Sequence, residues 1–224
     1  MRGLYAIVDV TTLEREGLEP VRFAEALLEA GPAALQLRDK RGHSRATLDL
    51  LTALAPLAAR AAVPLFANDR PDLAVLGGCA GAHLGRTDVP APRARELFRS
   101  MGKAHMLVGL SAHDGAQLEQ CLEEQPDYLA FGPVLATRSK VDPEPVIGLD
   151  GLAALVAQAR HYRPELPCVA IGGITADTAP LVARICPCAA VIAALVPPAT
   201  LGAERYAEVT RRARALGQML RLES

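Results

Sequence analysis

Tryptophan is missing from this chain, and only four tyrosines and four phenylalanines stand among its 224 residues. A core built around large rings is therefore excluded, and its volume has to come from Ala, Leu and Val, as in parallel strands buried under Ala-rich helices. Surplus charge is missing as well: 24 Lys and Arg against 25 Asp and Glu leave a formal net charge of −1. With no overall basic field, neither nucleic acid nor an anionic membrane is expected as a partner, and any anion must be held by local groups. No stretch reaches the ~20 apolar residues of a membrane span. The first apolar run ends at Asp9, short of a secretory signal with its ~7–15-residue apolar region and cleavage site, so a cytoplasmic location is expected. A cysteine framework is lacking too. The five cysteines (Cys79, Cys121, Cys168, Cys186 and Cys188) are odd in number and irregular in spacing, which fits reduced thiols. Cys186-Pro187-Cys188 has no Cys-x-x-Cys spacing and no second pair to complete a four-ligand zinc site.

What is present is alternation. Half of the residues are hydrophobic, enough for a packed globule. Short apolar runs at 4–8, 33–37, 63–67, 80–84, 106–110, 128–131, 168–171 and 189–193 read as strands. Between them lie helical patterns. Val21 to Ala30 carries Phe23, Ala26, Leu27 and Ala30 at helical spacing and stops at Gly31-Pro32. Ser44 is a candidate N-cap for a helix reaching Ala61, and Asp114 for one running through Leu122. Further helices are expected after Pro71, after Pro92, over Leu149–Arg160, from about Asp177, and over Glu204–Leu222. Eight such units predict an α/β fold, a single (β/α)8 TIM barrel. The whole chain forms one domain, with a barrel core over about 4–196 and a C-terminal helix over about 204–222. An open doubly wound sheet is the rival, weakened by the absence of Gly-x-Gly-x-x-Gly after the first strand.

Polar residues gather just after the apolar runs: Asp9, Arg38-Asp39-Lys40, Asn68-Asp69-Arg70, His83 to Asp88, Ser111 to Asp114, Thr137 to Lys140 and Gly172-Gly173. Strand C-termini of a barrel open on one face, so these segments would meet at one mouth. Arg38, Lys40 and Lys140 would repel one another there unless the guest is a polyanion, and Asn68 adds an amide. Asp69 and Asp88 could share a hard cation such as Mg²⁺, which is commonly held by one or two carboxylates with phosphate oxygens and water. A second anion site, for a monophosphate, is expected at Gly172-Gly173 and Ile192-Ala193, after the seventh and eighth strands.

The blocks Gln36-Leu37-Arg38-Asp39-Lys40, Asn68-Asp69-Arg70, His83-Leu84-Gly85-Arg86-Thr87-Asp88, Gly109-Leu110-Ser111-Ala112-His113, Gly132-Pro133-Val134, Thr137-Arg138-Ser139-Lys140 and Ile171-Gly172-Gly173-Ile174 stand in this order. Together they resemble the thiamine phosphate synthase family and its thiazole tautomerase relatives, over Leu4 to about Val196. The resemblance implies a transferase that joins a hydroxymethylpyrimidine diphosphate to a hydroxyethylthiazole phosphate, giving thiamine phosphate and diphosphate. It implies that Arg38, Lys40, Asn68 and Lys140 hold the diphosphate, with Mg²⁺ on Asp69 and Asp88. Gln36, His83 and Ser111 would position the pyrimidine, and Arg38, Lys40, Ser111 and Lys140 would be catalytic. Thr137 and Ser139, with the backbone of Gly173, Ile192 and Ala193, would hold the thiazole phosphate. The family is compatible with a homodimer.

Three features depart from the family pattern: Ala193 stands where a Ser is usual, Arg86 where a Gln is usual, and prolines 143 and 145 interrupt the stretch Val141–Ile147. The tautomerase reading needs the phosphate cup and a general acid–base group, for which His113 is the candidate, but not the carboxylate pair. A precursor-binding protein without turnover is a third class. Single residues have plainer readings too: Asp88 as the N-cap of the helix after Val89-Pro90, Asp69 as a turn residue, Arg38 as a partner of Asp9 or Asp39, and Lys140 as a solvated lysine.

Overall fold

A computed structural model describes residues 1–137 and 145–221. Eight parallel strands close into a barrel in sequence order: β1 (Gly3–Asp9), β2 (Ala34–Arg38), β3 (Leu65–Asn68), β4 (Gly81–Leu84), β5 (Leu107–Ala112), β6 (Tyr128–Phe131), β7 (Cys168–Ile171) and β8 (Cys188–Val191). Closure comes from β1 pairing with β8, Tyr5 opposite Ala190. The (β/α)8 expectation is met. The helices are α1 (Val10–Arg15), α2 (Pro20–Leu28), α3 (Ser44–Arg60), α4 (Pro71–Leu76), α5 (Ala91–Ser100), α6 (Gly115–Glu123), α7 (Gly148–Tyr162), α8 (Ala179–Ala183) and α9 (Arg205–Met219).

Two cores follow from the period of two along each strand. Leu4, Ala6 and Val8 point out to the helices and join Phe23, Leu27, Leu35, Leu37, Leu51 and Phe98 in the larger cluster. Tyr5 and Ile7 point into the barrel, where Ala34, Phe66, Tyr128, Ala130, Val169, Cys188 and Ala190 fill the inner space. The scarce aromatics are concentrated here. Tyr5, Phe66 and Tyr128 form a triangle with ring centroids 5.3 to 5.9 Å apart, each burial contributing ~2–3 kcal/mol. Gly109 makes room for it, since a Cβ there would lie 2.0 Å from the Tyr128 ring.

Local details correct the sequence reading. Ser44 is not the N-cap of α3; His43 occupies that position without a side-chain bond, and Ser44 Oγ instead accepts from Arg70 2.9 Å away. Asp114 does cap α6, accepting from Gln117 N–H at 2.8 Å. The eighth strand stops at Val191, because Ile192 and Ala193 already turn into a 3₁₀ segment, Ala193–Leu195. Residue 222, the expected end of the terminal helix, lies outside the described residues, and α9 ends at Met219.

Candidate functional site

Inward parity delivers the predicted residues. Counting by twos from Tyr5, Ala34 and Phe66 brings Asp9, Arg38 and Asn68 to the inner face at the strand ends, and the register sets Asp9 beside Arg38 and Asn68 beside His83. Arg38 forms an ion pair with Asp9, which is buried and also caps α1 by accepting from Thr12 N–H at 2.9 Å. The plainer reading of Arg38, as a partner of Asp9, is thus realised in the structure. A guanidinium has further N–H groups in its fork, so this pairing orients Arg38 without exhausting it.

One step further out, Lys40 forms an ion pair with Asp69. Asp69 has φ of +64°, a left-handed conformation uncommon outside glycine, and its N–H donates to the His83 carbonyl at 2.8 Å. That turn sets its carboxyl close enough to the carboxyl of Asp88 for the two to act on each other. Asp88 is not the N-cap of α5, where Pro90 stands; it accepts from Gly85 N–H at 2.7 Å. Partial burial, and then the neighbouring Asp69, push the Asp88 carboxyl up to about 6, against the opposing pull of Gly85 and Lys40. Two carboxyls this close repel each other when both are ionised, and the Lys40 ammonium offsets part of that charge. The pair therefore fits a hard divalent ion, which would take its other oxygens from ligand and water. Among the described residues, no group of three or more His, Cys, Asp or Glu side chains could hold a metal by protein ligands alone.

Below the mouth, polar side chains form a buried chain across the barrel. Gln36 Nε2 donates to the Tyr5 hydroxyl at 3.0 Å, and the Tyr5 and Tyr128 hydroxyls are 2.9 Å apart. His83 lies with Nδ1 3.0 Å from the Tyr128 hydroxyl and Nε2 2.8 Å from Ser111 Oγ. Gln36, His83 and Ser111, which the family resemblance singles out, all lie in this hydrogen-bonded chain. Tyr5 and Tyr128 were missed, because inside apolar runs a tyrosine reads as core; the inward face they share with Gln36 and His83 was the available signal. Desolvation raises both phenols well above their ordinary value.

The opposite wall is built from backbone. Gly172 and Gly173 both have positive φ, and a Cβ on either would come within 2.5–2.6 Å of Pro133 or the Ala136 carbonyl, so glycine is required at this turn. Beside it, Ile192 opens the 3₁₀ turn whose first bond is Leu195 N–H to the Ile192 carbonyl at 3.1 Å. The N–H groups of Ala193 and Ala194 thereby open a helical turn, with Ala193 exposed. Thr137 is half-buried at the edge of the described chain; Ser139, Lys140 and 141–144 of the expected lid lie outside the described residues. His113, the acid–base candidate of the tautomerase reading, has Nδ1 bonded to the Gly132 carbonyl. The Cys186 thiol contacts the carbonyls of Cys168 and Cys188, and burial pushes it up to about 12, an inert structural thiol.

The sequence model of the family described as "Thiamine monophosphate synthase" matches residues 4–195. A thiamine-phosphate synthase of Koribacter versatilis is 39% identical over 183 residues, covering 78% of this chain and 79% of that protein. One of Chloroflexus aurantiacus is 34% identical, covering 95% and 91%. Among solved structures, a thiamine phosphate pyrophosphorylase of Pyrococcus furiosus superposes with a TM-score of 0.78 at 28% identity, covering 97% of this chain and 95% of that one.

Proposed function

The chain belongs to the thiamine monophosphate synthase family and is an enzyme, a transferase; we propose that it joins hydroxymethylpyrimidine diphosphate to hydroxyethylthiazole phosphate with Mg²⁺ assistance. The observation that carries this reading is the closeness of Asp69 and Asp88, with Lys40 paired to the first and Arg38 on the neighbouring strand end. A pair of carboxyls ringed by cations suits a diphosphate and a divalent ion better than either guest alone. Proton movement on a thiazole ring would have no use for the pair.

The chemistry asked of the protein is modest. The bond from the pyrimidine methylene carbon to the diphosphate oxygen breaks, its electron pair leaving with the diphosphate. The thiazole ring nitrogen then supplies the pair for the new carbon–nitrogen bond, so no general base is needed. Arg38, Lys40 and Asn68 would grip the leaving group, and Asp69 and Asp88 would hold Mg²⁺, whose contribution when bound is to neutralise the departing charge. Each preorganised contact to that charge is worth about 3 kcal/mol. Gln36, His83 and Ser111 would orient the pyrimidine from below. The Gly173 turn and the open 3₁₀ turn at Ile192 and Ala193, with Thr137 beside them, would take the thiazole phosphate on backbone N–H groups. Ala193 offers no hydroxyl, so the backbone carries that role.

Purified protein given both substrates should form thiamine phosphate with Mg²⁺ and none with EDTA. Asp88→Ala should lower kcat/KM by on the order of 10²-fold or more. A folded wild-type protein that makes no product from this pair overturns the proposal.

A further inference from the structure

We infer that Tyr5 and Tyr128 are positioning residues in a one-way hydrogen-bond wire, Gln36–Tyr5–Tyr128–His83–Ser111, which sets the tautomer of His83 and gives the two ends of the chain opposite hydrogen-bonding character. The wire is continuous: its four links are 3.0, 2.9, 3.0 and 2.8 Å long. It crosses five strands, β2, β1, β6, β4 and β5, and its two phenols are 1–2% exposed. The Tyr128 ring also stacks on the His83 imidazole, 22° from parallel with centroids 5.5 Å apart, which holds the two in register.

Direction follows from counting protons. Each phenol has one proton, and leaving it unpaired at this depth is costly. Tyr5 accepts from the Gln36 amide, so its own proton must go to Tyr128, the other partner of its hydroxyl. Tyr128 then accepts from Tyr5 and donates to His83 Nδ1. Neutral His83 carries its proton on Nε2 and donates it to Ser111 Oγ, which leaves the Ser111 proton for a ligand. At the far end, no hydrogen bond to the Gln36 carbonyl oxygen is made among the described residues. Gln36 thus presents an acceptor and Ser111 a donor. The reverse direction is self-consistent only if the Gln36 amide turns over, and then every link reverses together. The two ends can change character only in concert, and the ligand they select is a ring with a donor facing Gln36 and an acceptor facing Ser111.

From the proposed function this takes only that Gln36 and Ser111 face the ligand. The tautomer is read in ligand-free protein, so a failed synthase assay leaves the inference standing and a failed tautomer test leaves the synthase reading standing. The ring nitrogens of ¹⁵N-labelled histidine are recorded at about pH 8.5, some two units above the ordinary imidazole value. Wild-type His83 should show the protonated-type shift at Nε2 and the bare-type shift at Nδ1; the opposite pattern overturns the stated direction. Gln36→Glu replaces the amide by a carboxylate that can only accept at this pH, so it should exchange the two shifts at His83 while leaving the other four histidines unchanged. A folded Gln36→Glu protein with the wild-type pattern at His83 overturns the coupling. Gln36→Glu in a Tyr5→Phe background should not exchange them, because the wire is cut; exchange in that double variant would show the effect travelling another way and also overturns the inference. If Gln36→Glu does not fold, the wild-type pattern still decides the direction.

Discussion

Asp39 stands between Arg38 and Lys40, yet it does different work. Its side chain is fully covered and holds Arg41 through two guanidinium bonds, at 2.7 and 2.8 Å, and Thr47 at 2.8 Å. Burial alone would raise its carboxyl; the bonds from Arg41 and Thr47 outweigh that and hold it below the usual carboxylate value. A lowered folded value means that stability is fully present above the unfolded carboxylate pKa and is lost as pH falls through the lowered one. Asp39→Asn should therefore cost about 2 kcal/mol in urea unfolding at neutral pH and flatten the loss of stability below about pH 4; an unchanged acid limb would refute this role. Gly109 makes a second case. Ala at this position would drive a methyl into the Tyr128 ring, and should destabilise the fold by about 1–3 kcal/mol. At this scale Gln36 and His83 were singled out only by the family resemblance. The sequence was opaque where the polar atom was the tip of an aromatic core residue, because the partners of Tyr5 are 31 and 123 residues away.

Strands were easier to read than helix ends. All eight apolar runs became strands because buried parallel strands need unbroken apolar stretches, whereas caps depend on contacts the local sequence does not hold. Ser44 looked like an N-cap, but Arg70, 26 residues away, engages its hydroxyl. Helix α9 shows the same dependence. Arg205 at its start is buried, donating to the Glu16 carbonyl at 2.7 Å and to the Pro197 carbonyl at 3.1 Å, while its Nε has no partner among the described residues. These bonds tie the last helix to the α1–α2 turn and to the chain leaving β8. Arg205→Ala should lower stability by about 2 kcal/mol, the two charge-assisted bonds being partly offset by relief of the orphaned nitrogen. A change below about 0.5 kcal/mol in denaturant unfolding would show that α9 is held by its apolar face alone.

On the scale of the whole molecule, closure of the barrel turns separate sequence clusters into one site. Lys40, Asp69 and Asp88 follow three adjacent strands, β2, β3 and β4, whose parallel pairing with a left-handed turn at Asp69 brings their side chains together. The convergence on one mouth, with Asp69 and Asp88 as a shared cation site, was expected from the position of the clusters after the strands; the left-handed turn at Asp69 was not, since no local pattern encodes it. The most direct measurement is Mn²⁺ binding by electron paramagnetic resonance, with Mn²⁺ standing in for Mg²⁺, with and without inorganic diphosphate. Wild-type protein should bind the ion far more tightly when diphosphate is present, and Asp69→Asn and Asp88→Asn should each abolish that gain. Diphosphate-dependent binding that persists at wild-type strength in either variant would contradict the account.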